Sequence, residues 1–271
     1  MTTGRSEALL FASLAANNAT AFYADLVAYL ARALDRPMRL DDEPAWQIRE
    51  QRLIRGQAQL GLVCGLQYVR SRERGDEPGM ELLAAPVMLG GRYGLEPVYF
   101  SDVVVRVGHA ARTFDDLSGT CFAFNERTSH SGYGVVRHAL AERGYTTGFF
   151  RSMVESGAHQ RSLSLITSGE VDGSAIDSTV LETELRRTPS LHREVKVVAT
   201  LGPSPIPPLV VSRALPSALR DDLRHAVLQI HRDRRGSQVL WTGRVHRYVQ
   251  VQDLDYDPIR MMAASGAAVS L

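Results

Sequence analysis

The sequence predicts an α/β fold of two lobes, each with a mainly parallel sheet flanked by helices. The first observation is that short apolar runs alternate with segments of helical periodicity along the chain, a pattern typical of layered strands and helices. The second is that two β-branched segments, 98–107 and 194–201, are longer than their neighbours and bracket a central block. A chain that passes twice between two lobes needs two such strands. We therefore predict lobe 1 at 1–101 plus 203–271, and lobe 2 at 102–202.

The part of the chain before the central block predicts strands and helices in alternation. Asn17 or Asn18 can cap a helix over 19–34, in which apolar residues recur on one face. A helix over 46–54 ends near Gly56, a residue that commonly terminates helices. The predicted strands of this part are 8–14, 38–40, 60–64, 82–89 and 98–107, and a further helix begins at residue 65.

The central block predicts two successive strand–loop–helix units. A strand over 120–124 leads to a polar loop and a helix that opens at Ser131, and a strand over 149–154 leads to the loop 155–159 and a second helix. Beyond this block we predict a helix over 178–187, strands over 194–201 and 209–212, a helix after Pro216, a last helix over 253–264 and a frayed end over 265–271.

A loop of Ser and His between a strand and a helix is a candidate anion site. The first N–H groups of a helix lack internal partners, and the helix macrodipole places partial positive charge there. Ser129, His130 and Ser131 can add donors in the first loop, and His159 can do so in the second. Two neighbouring loops of this kind can converge on one small oxyanion. From the residues alone, a plain helix cap remains the alternative for the first loop, for His159 and for Asp177.

The composition excludes several classes of protein. Apolar residues make up 44% and charged residues 23%, which is ordinary for a globular chain. A net charge of +1 without a basic stripe argues against nucleic-acid binding. Cys64 and Cys121 make no disulfide framework and are expected to be buried thiols. No apolar stretch is long enough for a transmembrane helix, so no membrane insertion is expected.

Catalytic and targeting signals are also missing from the sequence. The motifs of serine hydrolases, zinc proteases, phosphate-binding loops and dinucleotide sites do not occur, and no cysteines and histidines cluster at metal-ligand spacing. We therefore expect binding without turnover, no cofactor and no metal. The apolar run that follows Glu7 is short for a secretory signal and leads into a polar turn. The chain is therefore expected to be cytoplasmic if the sequence is full length.

Six segments share their order and spacing with a known family. They are Val98-Tyr99-Phe100-Ser101, Asp116-Leu117-Ser118-Gly119-Thr120, Ser129-His130-Ser131-Gly132-Tyr133, Ser156-Gly157-Ala158-His159, Gly169-Glu170-Val171-Asp172 and Asp255-Tyr256-Asp257-Pro258-Ile259-Arg260. From about residue 8 to 263 the chain resembles the phosphonate, phosphite and phosphate substrate-binding proteins of ABC transporters, a branch of the type II periplasmic-binding-protein fold. The resemblance implies an exported protein with a ligand cleft between its lobes. It also implies delivery of a small phosphorus oxyanion to a membrane permease.

The resemblance implies roles for individual residues as well. Hydroxyls and N–H groups of Ser129, His130 and Ser131 are expected to hold the oxyanion, with His130 standing where the family usually has threonine. His159 matches a histidine that binds it from the second loop, and Asp177 matches an acid that faces the ligand's other end. Protonation of His130 would add a positive charge to its donor.

Two further positions carry aromatic residues. Tyr99 matches an aromatic hydroxyl that closes over the ligand, and Trp46 stands where the family has a second tyrosine. The segment Ile206-Pro207-Pro208-Leu209 lacks the acid that the family usually carries there. An aminoalkylphosphonate is therefore a less favoured ligand than phosphate, phosphite or a small phosphonate.

Two other functions use the same fold. One is a cytoplasmic enzyme, as among menaquinone-pathway and pyrimidine-forming enzymes, with His130, His159 and Asp177 as candidate acid–base groups. The other is a ligand-sensing module. A partner protein would have to carry the output of such a module, because no helix-turn-helix precedes the fold.

Overall fold

The structure, a computed structural model, describes residues 8–271. The strands are β1 Leu9–Ser13, β2 Met38–Leu40, β3 Leu60–Leu62, β4 Met80–Met88, β5 Val98–Arg106, β6 Cys121–Phe124, β7 Ser152–Glu155, β8 Gly173–Asp177, β9 Val195–Pro205, β10 Leu209–Ser212 and β11 Val245–Val249. The α-helices are α1 Thr20–Ala33, α2 Trp46–Ile54, α3 Gly65–Arg74, α4 Val135–Glu142, α5 His159–Ser168, α6 Ser178–Arg187, α7 Ser217–Gln229, α8 Arg234–Thr242 and α9 Asp257–Ser265. Within this described part, every helix is too short or too polar to cross a membrane.

These elements form two compact units. Unit 1 comprises residues 8–98 and Ile206–Tyr256, and unit 2 comprises Tyr99–Pro205 and Asp257–Leu271. Each unit has its own sheet, so the predicted mixed α/β architecture with two sheets is confirmed. The sequence-based division put all of 203–271 into lobe 1, whereas α9 and the residues after it belong to unit 2.

Side-chain contacts explain why the segment after Tyr256 belongs to unit 2. Arg137, on α4, donates from Nε to the carbonyl oxygen of Val269 and from Nη2 to that of Ala267, both at 2.9 Å. Val269 is itself buried in the apolar core of unit 2. The prediction of a frayed end over 265–271 is therefore wrong, because these residues pack on α4.

Unit 1 contains a six-stranded sheet in the order β11-β4-β10-β3-β1-β2. β1 pairs in parallel with β2 and with β3. β10 runs antiparallel to β3 and β4, and β11 runs antiparallel to β4. The predicted mainly parallel sheet is therefore wrong for unit 1. The reason is that β10 and β11 follow the return of the chain from unit 2 and run opposite to the other four strands.

Unit 2 contains a five-stranded sheet in the order β7-β6-β8-β5-β9. β6 pairs in parallel with β7 and β8, and β5 runs antiparallel to β8. An aromatic cluster fills the core, where Phe122 stacks on Phe150 with ring centroids 4.4 Å apart and Phe114 stacks on Phe149 at 5.4 Å. Because Phe149 and Phe150 pack in this cluster, β7 begins at Ser152 and not at the predicted residue 149.

The sequence analysis missed α8 and β11, both in unit 1. Asp233 caps α8, since its Oδ2 accepts a hydrogen bond of 2.8 Å from Gly236 N. The first turn of this helix reads Arg234-Arg235-Gly236 and carries no apolar side chain. Its helical periodicity is therefore weak in the sequence, and β11 follows too closely to stand out as a separate run.

Candidate functional site

Three parallel strands of unit 2 end at one edge of the sheet. β6 pairs with β7 through Phe124 and Glu155, and with β8 through Ala123 and Ser174. Carboxyl ends of neighbouring parallel strands meet at the same edge, which is where ligands bind in open α/β sheets. The loops that follow these strands carry the residues predicted to bind an oxyanion. This topology is what brings the two loops together.

The first loop is organised by Ser129. Its Oγ accepts a hydrogen bond of 3.1 Å from Gly132 N, and its carbonyl oxygen accepts one of 3.0 Å from Gly134 N. Residues 130–134 form a single π-helical turn, and the α-helical part of α4 begins only at Val135. The predicted helix start at Ser131 is thus replaced by a wider turn, a feature that is frequent at functional sites.

The two loops converge through a serine and a histidine. Ser131 Oγ lies 3.0 Å from His159 Nε2, and Ser129 Oγ lies 3.5 Å from Ser131 Oγ. The backbone adds a second link, because Gly157 N donates to the carbonyl oxygen of Asn125 at 2.8 Å. All of these side chains are buried. The structure therefore brings together the predicted residues Ser129, Ser131 and His159.

His130 contacts β9, the strand at the far edge of the unit 2 sheet from β7. It is fully buried, and its Nε2 lies 2.9 Å from Ser204 Oγ on β9. The Tyr99 ring, on β5, is also buried and lies 6.5 Å from the His130 ring, centroid to centroid. Ser204 was not singled out in the sequence, because it lies in a proline-rich stretch that predicts a loop and not an extension of β9 to Pro205.

Both histidines are neutral near pH 7. Burial, together with a smaller contribution from the nearby His138, lowers the pKa of His130 from 6.5 to about 4. Burial alone lowers the pKa of His159 to about 4. The expectation that His130 adds a positive charge therefore fails at neutral pH. Each ring acts instead as a neutral hydrogen-bonding group.

Asp177 caps a helix in the structure. Its Oδ1 accepts hydrogen bonds from Thr179 N at 2.8 Å, Thr179 Oγ1 at 2.7 Å and Val180 N at 3.4 Å. Burial raises the pKa of Asp177 from 3.8 to about 6, although these hydrogen bonds act in the opposite direction. Asp177 therefore caps α6, as the alternative interpretation predicted. Its contact with a ligand stays a prediction.

Trp46 belongs to the other unit. It is the first residue of α2 in unit 1 and is half-buried. Its role as a ligand contact therefore remains a prediction. Asn125 is a residue that the sequence analysis did not select. It follows β6 directly, is 8% exposed, and its side chain lies against Gly132.

The fold is shared with several solved structures. PhnD1 from Prochlorococcus marinus in complex with methylphosphonate is 16% identical, with a TM-score of 0.83 over 97% of this chain and 99% of that one. A binding protein component of an ABC phosphonate transporter from Pseudomonas aeruginosa is 16% identical, with a TM-score of 0.83 over 96% and 86%. XAC2383 from Xanthomonas citri, bound to chloride ion, is 16% identical, with a TM-score of 0.76 over 97% and 98%. Together with the two sheets, these likenesses define a type II periplasmic-binding-protein fold.

A family model makes the assignment specific. The model described as "ABC transporter, phosphonate, periplasmic substrate-binding protein" matches residues 10–256. The chain therefore belongs to the family of phosphonate substrate-binding proteins of ABC transporters. The resemblance inferred from the six sequence segments is confirmed.

Proposed function

We propose that this protein binds phosphate, phosphite or a small phosphonate at the two loops of unit 2 and delivers it to an ABC-type importer. The observation that carries the proposal is the convergence of Ser131 and His159, whose Oγ and Nε2 atoms lie 3.0 Å apart. A tetrahedral oxyanion offers several acceptor oxygens to such donors. Each hydrogen bond to a charged oxygen contributes about 1.5–3 kcal/mol.

The other ligand contacts, the cellular location and the partner are part of the same proposal. Ser129 and His130 complete the donor set, Tyr99 and Trp46 provide aromatic contacts, and Asp177 faces the part of the ligand that is not the oxyanion. The family description as a periplasmic protein supports an exported location and a membrane permease as the partner.

We also propose binding without chemical turnover. Ser131 and His159 have the spacing of a nucleophile and its base, yet in active pairs of this kind a third group orients the imidazole. No hydrogen-bond partner of His159 Nδ1 occurs among residues 8–271. Its pKa of about 4 also makes the ring a weak base at neutral pH. Both observations favour a binding role.

A thermal-shift panel on the purified protein tests the proposal. The panel contains phosphate, phosphite, methylphosphonate, 2-aminoethylphosphonate, sulfate and several aromatic carboxylates. A ligand at about a thousand times its Kd adds about 4 kcal/mol of stability. Each kcal/mol raises the Tm of a chain this size by about 2–4 °C. We expect a clear shift with at least one phosphorus oxyanion.

Variants then locate the site. Ser131→Ala and His159→Ala are expected to abolish most of the shift, whereas Ser164→Ala should leave it unchanged. Ser164 is a suitable control because it lies exposed on α5, where its Oγ donates only to the Gln160 carbonyl. No shift with any phosphorus oxyanion, or a full shift in both loop variants, would refute the proposed function.

A further inference from the structure

Asn125 has a buried hydrogen-bond acceptor that the protein does not use. The residue is 8% exposed, and Oδ1 is buried without a hydrogen-bond partner among residues 8–271. The backbone carbonyl oxygen of the same residue is engaged with the second loop, since it accepts from Gly157 N at 2.8 Å. Buried amide oxygens are normally paired, so an unpaired one is informative.

This oxygen lies against the loop that is proposed to bind the oxyanion. Oδ1 lies 1.9 Å from the point that a Cβ on Gly132 would occupy, so it sits directly against the first turn of the loop. Gly132 N is the group that donates to Ser129 Oγ, and Ser131 is the next residue back. Thr128 Oγ1, one residue before this turn, is a second buried polar atom without a partner in the described chain.

Asn125 Oδ1 can only accept a hydrogen bond, so its presence beside the proposed donors restricts which anion can bind. An oxygen that carries no hydrogen repels the amide oxygen and leaves it unpaired, and an unpaired buried acceptor is destabilising. A ligand hydroxyl removes both penalties. A site that contains such an acceptor therefore distinguishes ligands by whether they carry an O–H group, and sites of this kind can discriminate strongly.

We propose that the site selects a form of its phosphorus ligand that carries a P–OH group, which donates to Asn125 Oδ1; for phosphite and the phosphonates this form is the monoanion. This inference rests on the proposed function and adds the protonation state of the ligand to it. It excludes sulfate, a tetrahedral oxyanion of the same size that carries no hydroxyl near neutral pH. Asn125 is thus assigned as a specificity-determining residue.

Titratable groups of the protein surround the loop and must be separated from the proton of the ligand. His130 and His159 face it from the loops themselves, His138 from α4, Asp177 from β8 and Glu155 from β7. Arg127, within the first loop, lies 3.9 Å from Glu155. Asp177, whose pKa is about 6, becomes charged as the pH rises and then repels the sulfate dianion more strongly than the methylphosphonate monoanion, so its titration raises the preference for methylphosphonate. A preference that falls as the pH rises therefore reports the proton of the ligand.

The experiment is calorimetric titration of the full chain with methylphosphonate and with sulfate between about pH 6 and about pH 9, a range that includes the second ionisation of a phosphorus oxyanion. At the acid end we expect methylphosphonate to bind at least about 30-fold more tightly than sulfate. The preference should shrink as the pH rises and the monoanion disappears. Equal affinity for sulfate, or a preference that does not change with pH, would overturn the inference.

A variant tests the residue. Asn125→Ala is expected to reduce the preference at the acid end to about threefold or less, whereas Ser164→Ala should keep the wild-type ratio. If Asn125→Ala does not fold, the pH series on the wild-type chain decides alone. Binding of neither ligand by the wild-type protein would overturn this inference, whereas the proposed function is refuted only when no phosphorus oxyanion shifts the Tm. Binding of both with equal affinity would overturn only the inference.

Discussion

The two units differ in the residues that follow their parallel strands. In unit 1, β2, β1 and β3 are parallel neighbours, as β7, β6 and β8 are in unit 2. In unit 1 the acidic residues Asp41 and Glu43, which follow β2, are paired with Arg52 of α2. In unit 2 the buried groups that follow the strands are neutral at pH 7 apart from Asp177, and the ion pair of Arg127 with Glu155 is exposed. The same strand arrangement therefore supports two different surfaces.

The charged region of unit 1 is held by arginines of α2. Arg52 Nη1 lies 2.5 Å from Asp41 Oδ1, and Asp41 is buried directly after β2. Arg49 donates from Nε to the carbonyl oxygen of Ser13, the last residue of β1, at 2.9 Å, and from Nη1 to the carbonyl oxygen of Glu43. In unit 2 the corresponding positions are held by burial and by neutral hydrogen bonds. We therefore expect pH to change stability mainly through the histidines of unit 2, and salt to change it mainly through the ion pairs of unit 1.

The largest expected effect is acid destabilisation caused by the two histidines. Their folded-state pKa values are lowered from 6.5 to about 4, so the stability that this contributes is complete above pH 6.5 and is lost as the pH falls towards 4. At about pH 4.5 each histidine should lower the free energy of unfolding by about 2–3 kcal/mol relative to neutral pH. Urea unfolding of His130→Gln and His159→Gln, at about pH 4.5 and at neutral pH, measures how much of the acid destabilisation each histidine causes.

Asp177 acts in the opposite direction in this pH range and does not confuse the comparison. Its folded-state pKa is raised from 3.8 to about 6, so the stability that it contributes grows as the pH falls below 6. This contribution is the same in wild type and in the glutamine variants. Equal acid destabilisation in all three proteins would show that the histidines are not buried in neutral form.

The second effect tests the close packing of the first loop. A Cβ on Gly132 would lie 1.9 Å from Asn125 Oδ1 and 3.3 Å from Asn125 N. Gly132→Ala should therefore displace Asn125, lower the free energy of unfolding by about 1–3 kcal/mol and abolish ligand binding. Gly108→Ala is the control, because no atom lies within 4 Å of its added Cβ. Similar Tm values for the two variants would contradict the packing.

A third, smaller effect compares a helix cap in each unit. Asp177→Ala should lower the free energy of unfolding by about 1 kcal/mol at neutral pH through loss of the cap of α6, and Asp177→Asn should restore most of it. Asp233→Ala removes the exposed cap of α8 in unit 1 and should act more weakly. A larger loss for Asp233→Ala would show that burial adds nothing to the cap at Asp177.

The smallest effect concerns salt. Arg52→Ala removes the ion pair with Asp41 and should lower the Tm slightly in dilute buffer. The difference from wild type should shrink in about 1 M NaCl, where exposed charges are screened. Ser129→Ala in unit 2 removes a neutral cap, so its effect should not depend on salt. A salt-independent loss for Arg52→Ala would remove the proposed contrast between the units.

Much of the architecture could be predicted from local pattern. The helices α2 and α6 and the strand β10 have the predicted bounds residue for residue, because their turns and caps are explicit in the sequence. The direction of β10 and β11 could not be predicted, since periodicity identifies a strand but not its neighbours. The position of α9 depended on the contacts of Arg137 with a segment more than a hundred residues away.

Part of the site was predictable from the repeated strand–loop–helix pattern of the sequence. Repeated strand–loop–helix units place Ser131 and His159 at one sheet edge, and this follows from topology. The link from His130 to Ser204 spans 74 residues of sequence and has no local signal. The neutral state of both histidines depends on burial, which only the folded chain defines. Asn125 looks like any loop asparagine until its unpaired oxygen is seen against Gly132.

The order in which the ribosome makes this chain has a consequence for its folding. Unit 1 needs Ile206–Tyr256, so its sheet stays open while the whole of Tyr99–Pro205 is being synthesised. Unit 2 in turn lacks α9 and Val269 until they emerge from the exit tunnel. Chains that have been made only to about residue 205 should therefore expose unpaired strands of the unit 1 sheet, and in unit 2 the part of the apolar core that Val269 covers. A chaperone that shields such surfaces would be needed most during that interval.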